Sequence, residues 1–384
     1  MKFAFHLPVN LLFGNGVIEE IGVRAAAYSR KAVIVTGRGS TKKSGLLDRV
    51  LSLLEKAGVE SAVYDKVAPN PTTDAISECT ALVKAEKAGL VIGLGGGSMM
   101  DAAKASAFMA KNSGDLMDYV YGRTVSTEAL PIILVPTTCG TGSEGNGFAV
   151  ITDPKTGDKK SLRGPMIIAK LSIIDPELMK TMPRSVLASV GFDALCHAME
   201  AYISAAATPL TDIMALEGMR LVSENLIPLY RGTGDGEAWE NVTWASTLGG
   251  MVIGVAGVTA PHGIEHPPSG IRNIQHGRGL AALTPVITDR TIAGIGAGTS
   301  ARAREKYAVI SRCLGGKNEK DCTASIKRFL QEIDLVMTLG EQGIKSEDVD
   351  WLAENALKVS AAGIANHPVV FGLEEIKQIY RDAL

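Results

Sequence analysis

Of the six histidines in the chain, four fall between residues 197 and 276, beside an aspartate at helical spacing. Asp193 and His197 are four residues apart, so on a helix they share one face. His262 and His266 repeat that spacing within Pro261-His262-Gly263-Ile264-Glu265-His266-Pro267, and Gln275-His276-Gly277 follows. One carboxylate and two or three imidazoles on separate elements can close around a divalent metal and leave a position open, as a catalytic site requires. Either pair alone also fits a hydrogen-bonded core helix, but three such pieces in one region favour the metal. His6 and His367 stand apart and read as structural or surface residues. Cys196, offset by three from Asp193 among apolar neighbours, reads as a packing residue.

Three loops could hold a nucleotide. Gly95, Gly96 and Gly97, followed by Ser98 and Asp101, end a strand-like run and open a helix-like one. Glycines let a backbone approach a ligand closely, and a helix start suits a pyrophosphate. Ser98 and Asp101 have the spacing of a capping box. The turn lacks the GxGxxG spacing of a standard Rossmann fingerprint. A second loop carries Thr137, Thr138, Thr141 and Ser143 after another strand, where open α/β sheets bind ligands. The third, Gly37-Arg38-Gly39-Ser40-Thr41-Lys42-Lys43, offers cations and hydroxyls without an acid. A ribose diol calls for a carboxylate, whereas this loop suits a 2′-phosphate.

These groups need a scaffold. In the first half, strand-like runs at residues 31–36, 61–64, 89–94 and 131–136 alternate with helical stretches at 46–57, 72–88 and 101–111. That alternation predicts a parallel sheet covered on both faces. After Pro183, Ala, Leu and Met at helical periods take over. The expected architecture is therefore an α/β domain over residues 1–182 and an all-helical domain over residues 183–384, each with its own core.

Composition narrows the functional classes. The 384 residues are 46% hydrophobic and 21% charged, ordinary for a globular protein. A formal charge of −2 argues against nucleic acid as a partner, and no consecutive apolar run has a membrane span's length. The start lacks a signal peptide's apolar core, and the five cysteines are scattered without a CxxC, which predicts reduced thiols and a cytoplasmic location.

Taken together, these motifs resemble the iron-dependent, or group III, alcohol dehydrogenases. The likeness runs nearly end to end. It includes Leu11-Leu12-Phe13-Gly14-Asn15-Gly16, Pro69-Asn70-Pro71-Thr72, the glycine turn, Pro136 through Glu144, Gly191 through Glu200, and His262 through Gly277. The resemblance implies a Rossmann-like dinucleotide domain, a helical metal-binding domain and a metal in the cleft between them. By position it assigns Asp193, His197, His262 and His276 as metal ligands. It makes His266 an additional active-site histidine and Lys160 a cofactor contact. It implies Fe(II), although this donor set would also accept Zn(II), and at least a homodimer. Many NAD-preferring members carry Asp where Gly37 stands, so the expected preference is NADP(H) over NAD(H), with a small alcohol or aldehyde as substrate.

The chain departs from the family pattern at Gly145-Asn146, at Glu265 through Arg272 with its paired prolines, and at Leu280. Arg272 and Arg278 leave room for a competing class, a metal- and dinucleotide-dependent lyase like dehydroquinate synthase, which uses basic residues for a substrate phosphate.

Overall fold

The computed structural model describes residues 2–295 and 301–384. Leu7–Met182 form one compact unit, and Pro183–Leu384 form the bulk of a second. The strands are β1 (Leu11–Phe13), β2 (Lys31–Gly37), β3 (Glu60–Val67), β4 (Leu90–Gly95), β5 (Ile132–Pro136), β6 (Phe148–Thr152), β7 (Lys159–Arg163) and β8 (Leu171–Ile174). The helices of the first unit are α1 (Ile21–Ala26), α2 (Ser40–Lys43), α3 (Leu46–Lys56), α4 (Thr73–Ala85), α5 (Gly97–Lys111) and α6 (Leu116–Val120).

Six strands form one parallel sheet in the order β1-β8-β5-β4-β2-β3. Successive side chains of a strand point to opposite faces, and here both faces are dry. Val33, Val35 and Val91 pack with α4, α5 and α6, while Ala32, Ile34, Leu90 and Ile92 pack with α1 and α3. That two-sided burial is why these strands read as unbroken apolar runs. Strands β5, β4 and β2 are adjacent and parallel. Their carboxyl ends therefore bring the three loops at residues 37–43, 95–98 and 137–143 to one edge of the sheet, where such sheets bind ligands.

The capping-box reading of Ser98 and Asp101 is corrected. Helix α5 starts earlier than expected, with Gly96 as its N-cap and no side-chain cap. Ser98 Oγ instead accepts from the Asn70 backbone N–H at 3.2 Å. Strands β1 and β8 are too short to show a period, and the antiparallel β6–β7 hairpin hides its pattern behind Lys159, Lys160 and Arg163.

The second unit is helical among the described residues. It comprises α7 (Arg184–Ile203), α8 (Pro209–Arg231), α9 (Gly236–Ala256), α10 (Ala260–Arg272), α11 (His276–Gly294), α12 (Ala301–Cys313), α13 (Cys322–Glu332), α14 (Val349–Ala365) and α15 (Leu373–Ala383). Helix α7 is buried on every side from Gly191 to Ile203. It is long and apolar enough to span a membrane by composition, yet 89% of that window is buried inside the protein. A helix that is apolar all round is a core helix, and this one carries the polar residues of the site at its centre.

Candidate active site

Asp193, His197 and Glu200 lie along one face of α7 at spacings of four and three. Helix α10 brings His262 and His266, and α11 opens with His276. The Nε2 atoms of His262, His197 and His276 lie 3.4, 3.7 and 3.8 Å from Asp193 Oδ1. The His197 and His262 rings stack with centroids 4.5 Å apart, and His276 meets His262 edge-on at 4.9 Å. Asp193 Oδ1 and His262 Nε2 are buried and find no hydrogen-bond partner. Groups left this way in an interior are costly unless something coordinates them.

The donor set fits a divalent cation. Donors about 2.1 Å from a shared tetrahedral centre would lie about 3.4 Å apart, near the three Nε2 distances to Asp193 Oδ1; Asp193, His262 and His276 offer ligand atoms all within 4.8 Å of one another, and His197 stands at the edge of that group. Side-chain exposure is 3% for Asp193 and His262 and 6% for His197, but 23% for His276, so the cluster opens beside His276. Burial opposes ionisation of Asp193, but His197 and the other imidazoles outweigh it and hold its carboxyl below the usual range. Burial pushes His197 down to about 4, leaving it a neutral donor. Burial also opposes protonation of His262, yet Glu200 and Asp193 overcome it and lift the ring to about 10.

Two carboxylates behind the cluster orient the rings. Glu200 Oε1 lies 2.5 Å from His262 Nδ1, and its Oε2 accepts from the Thr259 N–H at 2.7 Å and the His262 N–H at 3.4 Å. Glu200 thus caps the start of α10, whose own N-cap, Thr259, makes no side-chain cap bond. Glu265 meets His276 Nδ1 and takes the Ser269 hydroxyl. Its space exists because residue 279 is glycine, where a Cβ would lie 2.6 Å from Glu265 Oε1. Carboxylate–histidine pairs of this kind fix the tautomer and raise ligand basicity. His266 lies beside His276, with ring centroids 5.8 Å apart, and its Nδ1 is 3.5 Å from Ser360 Oγ.

In the first unit, the glycine turn and the hydroxyl loop pack against each other. A Cβ at Gly97 would collide with the Thr141 side chain, and one at Gly96 would sit 3.1 Å from Thr138 Oγ1. The Thr137 N–H donates to the Gly95 carbonyl at 3.0 Å. Asp101 is buried and accepts from Ser143 Oγ at 2.6 Å and the Val150 N–H at 3.0 Å, so its carboxylate braces the loop from within. Lys104, fully buried, donates to the carbonyls of Ser143, Phe148 and Asn146 at 2.6, 2.7 and 3.0 Å. Burial lowers its pKa to about 8 against the opposing pull of Asp101 and Glu144. Asn146, a departure from the family pattern, closes this network by accepting from the Phe148 N–H.

Gly37 ends β2, and Ser40 and Lys43 are exposed on the short helix that follows. Lys42 pairs with Asp65, so an acid does reach this loop from β3. Lys43 has no ion-pair partner among the described residues. Lys160 lies over the Tyr121 ring, 5.5 Å from its centroid.

Two family models cover the chain. Residues 8–176 match "Iron-containing alcohol dehydrogenase", and residues 187–384 match the C-terminal part of the Fe-containing alcohol dehydrogenase family. The chain belongs to the iron-containing alcohol dehydrogenases. An archaeal alcohol dehydrogenase from a Red Sea brine pool shares its fold with a TM-score of 0.95 at 31% identity, over 100% of this chain and 99% of that one. The NAD-dependent methanol dehydrogenase of Bacillus methanolicus is 29% identical over 99% of each chain. The NADPH-dependent butanol dehydrogenase of Clostridium saccharobutylicum is 30% identical over 98% of this chain and 96% of its own.

The family membership makes this protein a metal-dependent, nicotinamide-linked alcohol dehydrogenase. It sets aside the lyase alternative, and one of the two arginines behind that alternative is engaged elsewhere. Arg272 is committed to a two-pronged bond with Asp348 at 2.8 and 2.9 Å. Glu200, Glu265, Ser360 and Lys104 had drawn no assignment from sequence. Glu200 alone carried a signal, seven residues after Asp193 on the same helix face. His367 is buried and bonds Thr291, His6 is exposed, and Cys196 packs against Thr284.

Proposed function

We propose that this dehydrogenase reduces small aldehydes with NADPH, using Asp193, His197, His262 and His276 to hold Fe(II), with Zn(II) as an acceptable substitute. The observation that carries this reading is the convergence of three imidazole Nε2 atoms on the orphaned Asp193 Oδ1. A cation held there supplies Lewis-acid polarisation of a carbonyl, and the nicotinamide supplies the hydride. One carboxylate and three imidazoles, with the cation in place of the His262 Nε2 proton, would leave the site a net positive charge. Glu200 and Glu265 hold the His262 and His276 rings with Nε2 toward Asp193. His266, outside the donor set, moves the proton between the product oxygen and solvent, a role suited to imidazole near neutral pH.

The glycine turn, with Gly95, Gly96, Gly97 and Ser98, and the hydroxyls of Thr137, Thr138 and Thr141 receive the cofactor at the sheet's carboxyl edge. Ser143 and Asp101 act on this loop from beneath, and Lys160 reaches the cofactor from the hairpin. Gly37, Ser40 and Lys43 admit the 2′-phosphate. Relatives of similar identity use either nicotinamide, so this preference rests on the loop itself. A cytoplasmic location agrees with five free cysteines, and a mostly reduced NADP pool favours aldehyde reduction. The test is a panel of short aldehydes assayed with NADPH and NADH on Fe(II)-loaded protein, alongside metal analysis of Asp193→Ala. Full metal content in that variant, or no aldehyde turnover by the wild type, overturns the reading.

A further inference from the structure

Pro268 lies inside α10, directly after Pro267. Proline has no N–H, so it cannot make the helical bond to the carbonyl four residues earlier, and an interior proline usually kinks or breaks a helix. The carbonyl it leaves is that of Ile264, and Ile264 is completely buried. A buried carbonyl needs a donor. Here the donor comes from 116 residues away: the Tyr380 hydroxyl, on α15, donates to the Ile264 carbonyl at 2.5 Å.

We propose that Tyr380 is a positioning residue for the active-site histidines, its hydroxyl standing in for the backbone hydrogen bond that Pro268 removes from α10. The bond falls between His262 and His266, two residues from each. It therefore acts on the turn that presents both rings. Tyr380 is itself completely buried and packs with Ile376, Ile379 and Ile264 in one core, so its hydroxyl has a fixed address. The same turn also meets α14. A Cβ at Gly263 would come within 2.9 Å of Ile364 Cγ1, leaving α10 no room to shift that way. With α14 against Gly263 and Tyr380 on Ile264, α10 runs through two prolines to Arg272 without a break. The functional consequence rests on the metal and proton roles proposed above, while the bond itself does not.

A four-member cycle tests this: wild type, Tyr380→Phe, Pro268→Ala and the double variant. The readouts are amide exchange across α10 and the rate at which a chelator strips Fe(II), measured well below the unfolding temperature. Tyr380→Phe removes only the hydroxyl. In the Pro268 background it should speed α10 exchange and metal loss by about tenfold, the worth of one buried hydrogen bond. In the Pro268→Ala background the restored N–H can serve the Ile264 carbonyl, and the same substitution should change both by less than about twofold. Equal effects in the two backgrounds, or none in either, overturn the proposal and leave Tyr380 a core filler. Failure of the metal reading shows separately, as Asp193→Ala retaining iron, and leaves the exchange result intact.

Discussion

His262 turns Nδ1 to Glu200 at 2.5 Å, and this leaves its opposite nitrogen, Nε2, facing Asp193 at 3.4 Å. One carboxylate thereby fixes a tautomer, aims a donor and caps the helix that carries it. Glu200→Gln preserves shape and can still accept from the Thr259 N–H, but it removes the charge behind the ring. Metal affinity should fall by about 10–100-fold, the usual cost of losing such an outer partner. Competition with a chelator measures the dissociation constant, and circular dichroism checks that the helices remain. An unchanged constant in a folded variant would show that Glu200 only caps α10.

In the proposed mechanism His276 holds the metal and His266 moves the proton, so the two can be separated by substitution. His276 faces Asp193 through Nε2, whereas His266 Nδ1 lies 3.5 Å from Ser360 Oγ, where α14 leaves helical geometry. His276→Ala should lose metal and activity together. His266→Gln should keep near-stoichiometric metal and lower kcat by about a hundredfold or more, the range for a lost general acid–base. Metal analysis beside steady-state kinetics decides, and metal loss in the His266 variant alone would reverse the assignment.

Much of this arrangement was visible in the sequence because it depends on short-range spacing. Asp193 and His197 sit at helical spacing on one helix, and the buried sheet strands reveal themselves as β-branched runs between helices. What stayed hidden depends on contacts across the fold. Glu265 is a plain charged residue until α11 brings His276 against it. Lys104 reads as a solvated helix cation until the loop at residues 143–148 closes over its ammonium group. Pro268 reads as a helix breaker until Tyr380 supplies the missing donor. The loop at Gly37 looked free of acid because Asp65 lies on the neighbouring strand.

That loop gives the cofactor prediction. Aspartate in place of Gly37 would accept a ribose hydroxyl and repel a 2′-phosphate, which in the proposed reading Ser40 and Lys43 receive. The new Cβ would fall 2.6 Å from Met99 Cε, the far end of a flexible side chain that can swing aside. Gly37→Asp should therefore fold and move the NADPH-to-NADH ratio of kcat/KM toward NADH by at least tenfold, or about 1.4 kcal/mol. A wild-type enzyme that already prefers NADH by that factor would show that the loop does not read the phosphate.

His367 supplies a pH dependence remote from catalysis. Its Nε2 lies 2.8 Å from Thr291 Oγ1, whose hydroxyl donates to the Ile287 carbonyl at 2.6 Å, so the ring nitrogen is the donor in their bond. Its Nδ1 is buried without a partner, and a proton placed there would have no acceptor. Burial accordingly pushes the ring's pKa from 6.5 down to about 4. The unfolded chain takes up this proton below pH 6.5 while the folded chain refuses it until about 4. Stability from this residue is thus fully present above the higher value and is lost as the pH falls through the window, by about 3 kcal/mol in all. His367→Gln can keep a donor for Thr291 and does not titrate. Urea unfolding of both proteins at several pH values between neutrality and the lower limit should show the wild type losing up to about 3 kcal/mol more than the variant. Parallel losses in the two proteins would mean that His367 is protonated in the folded state.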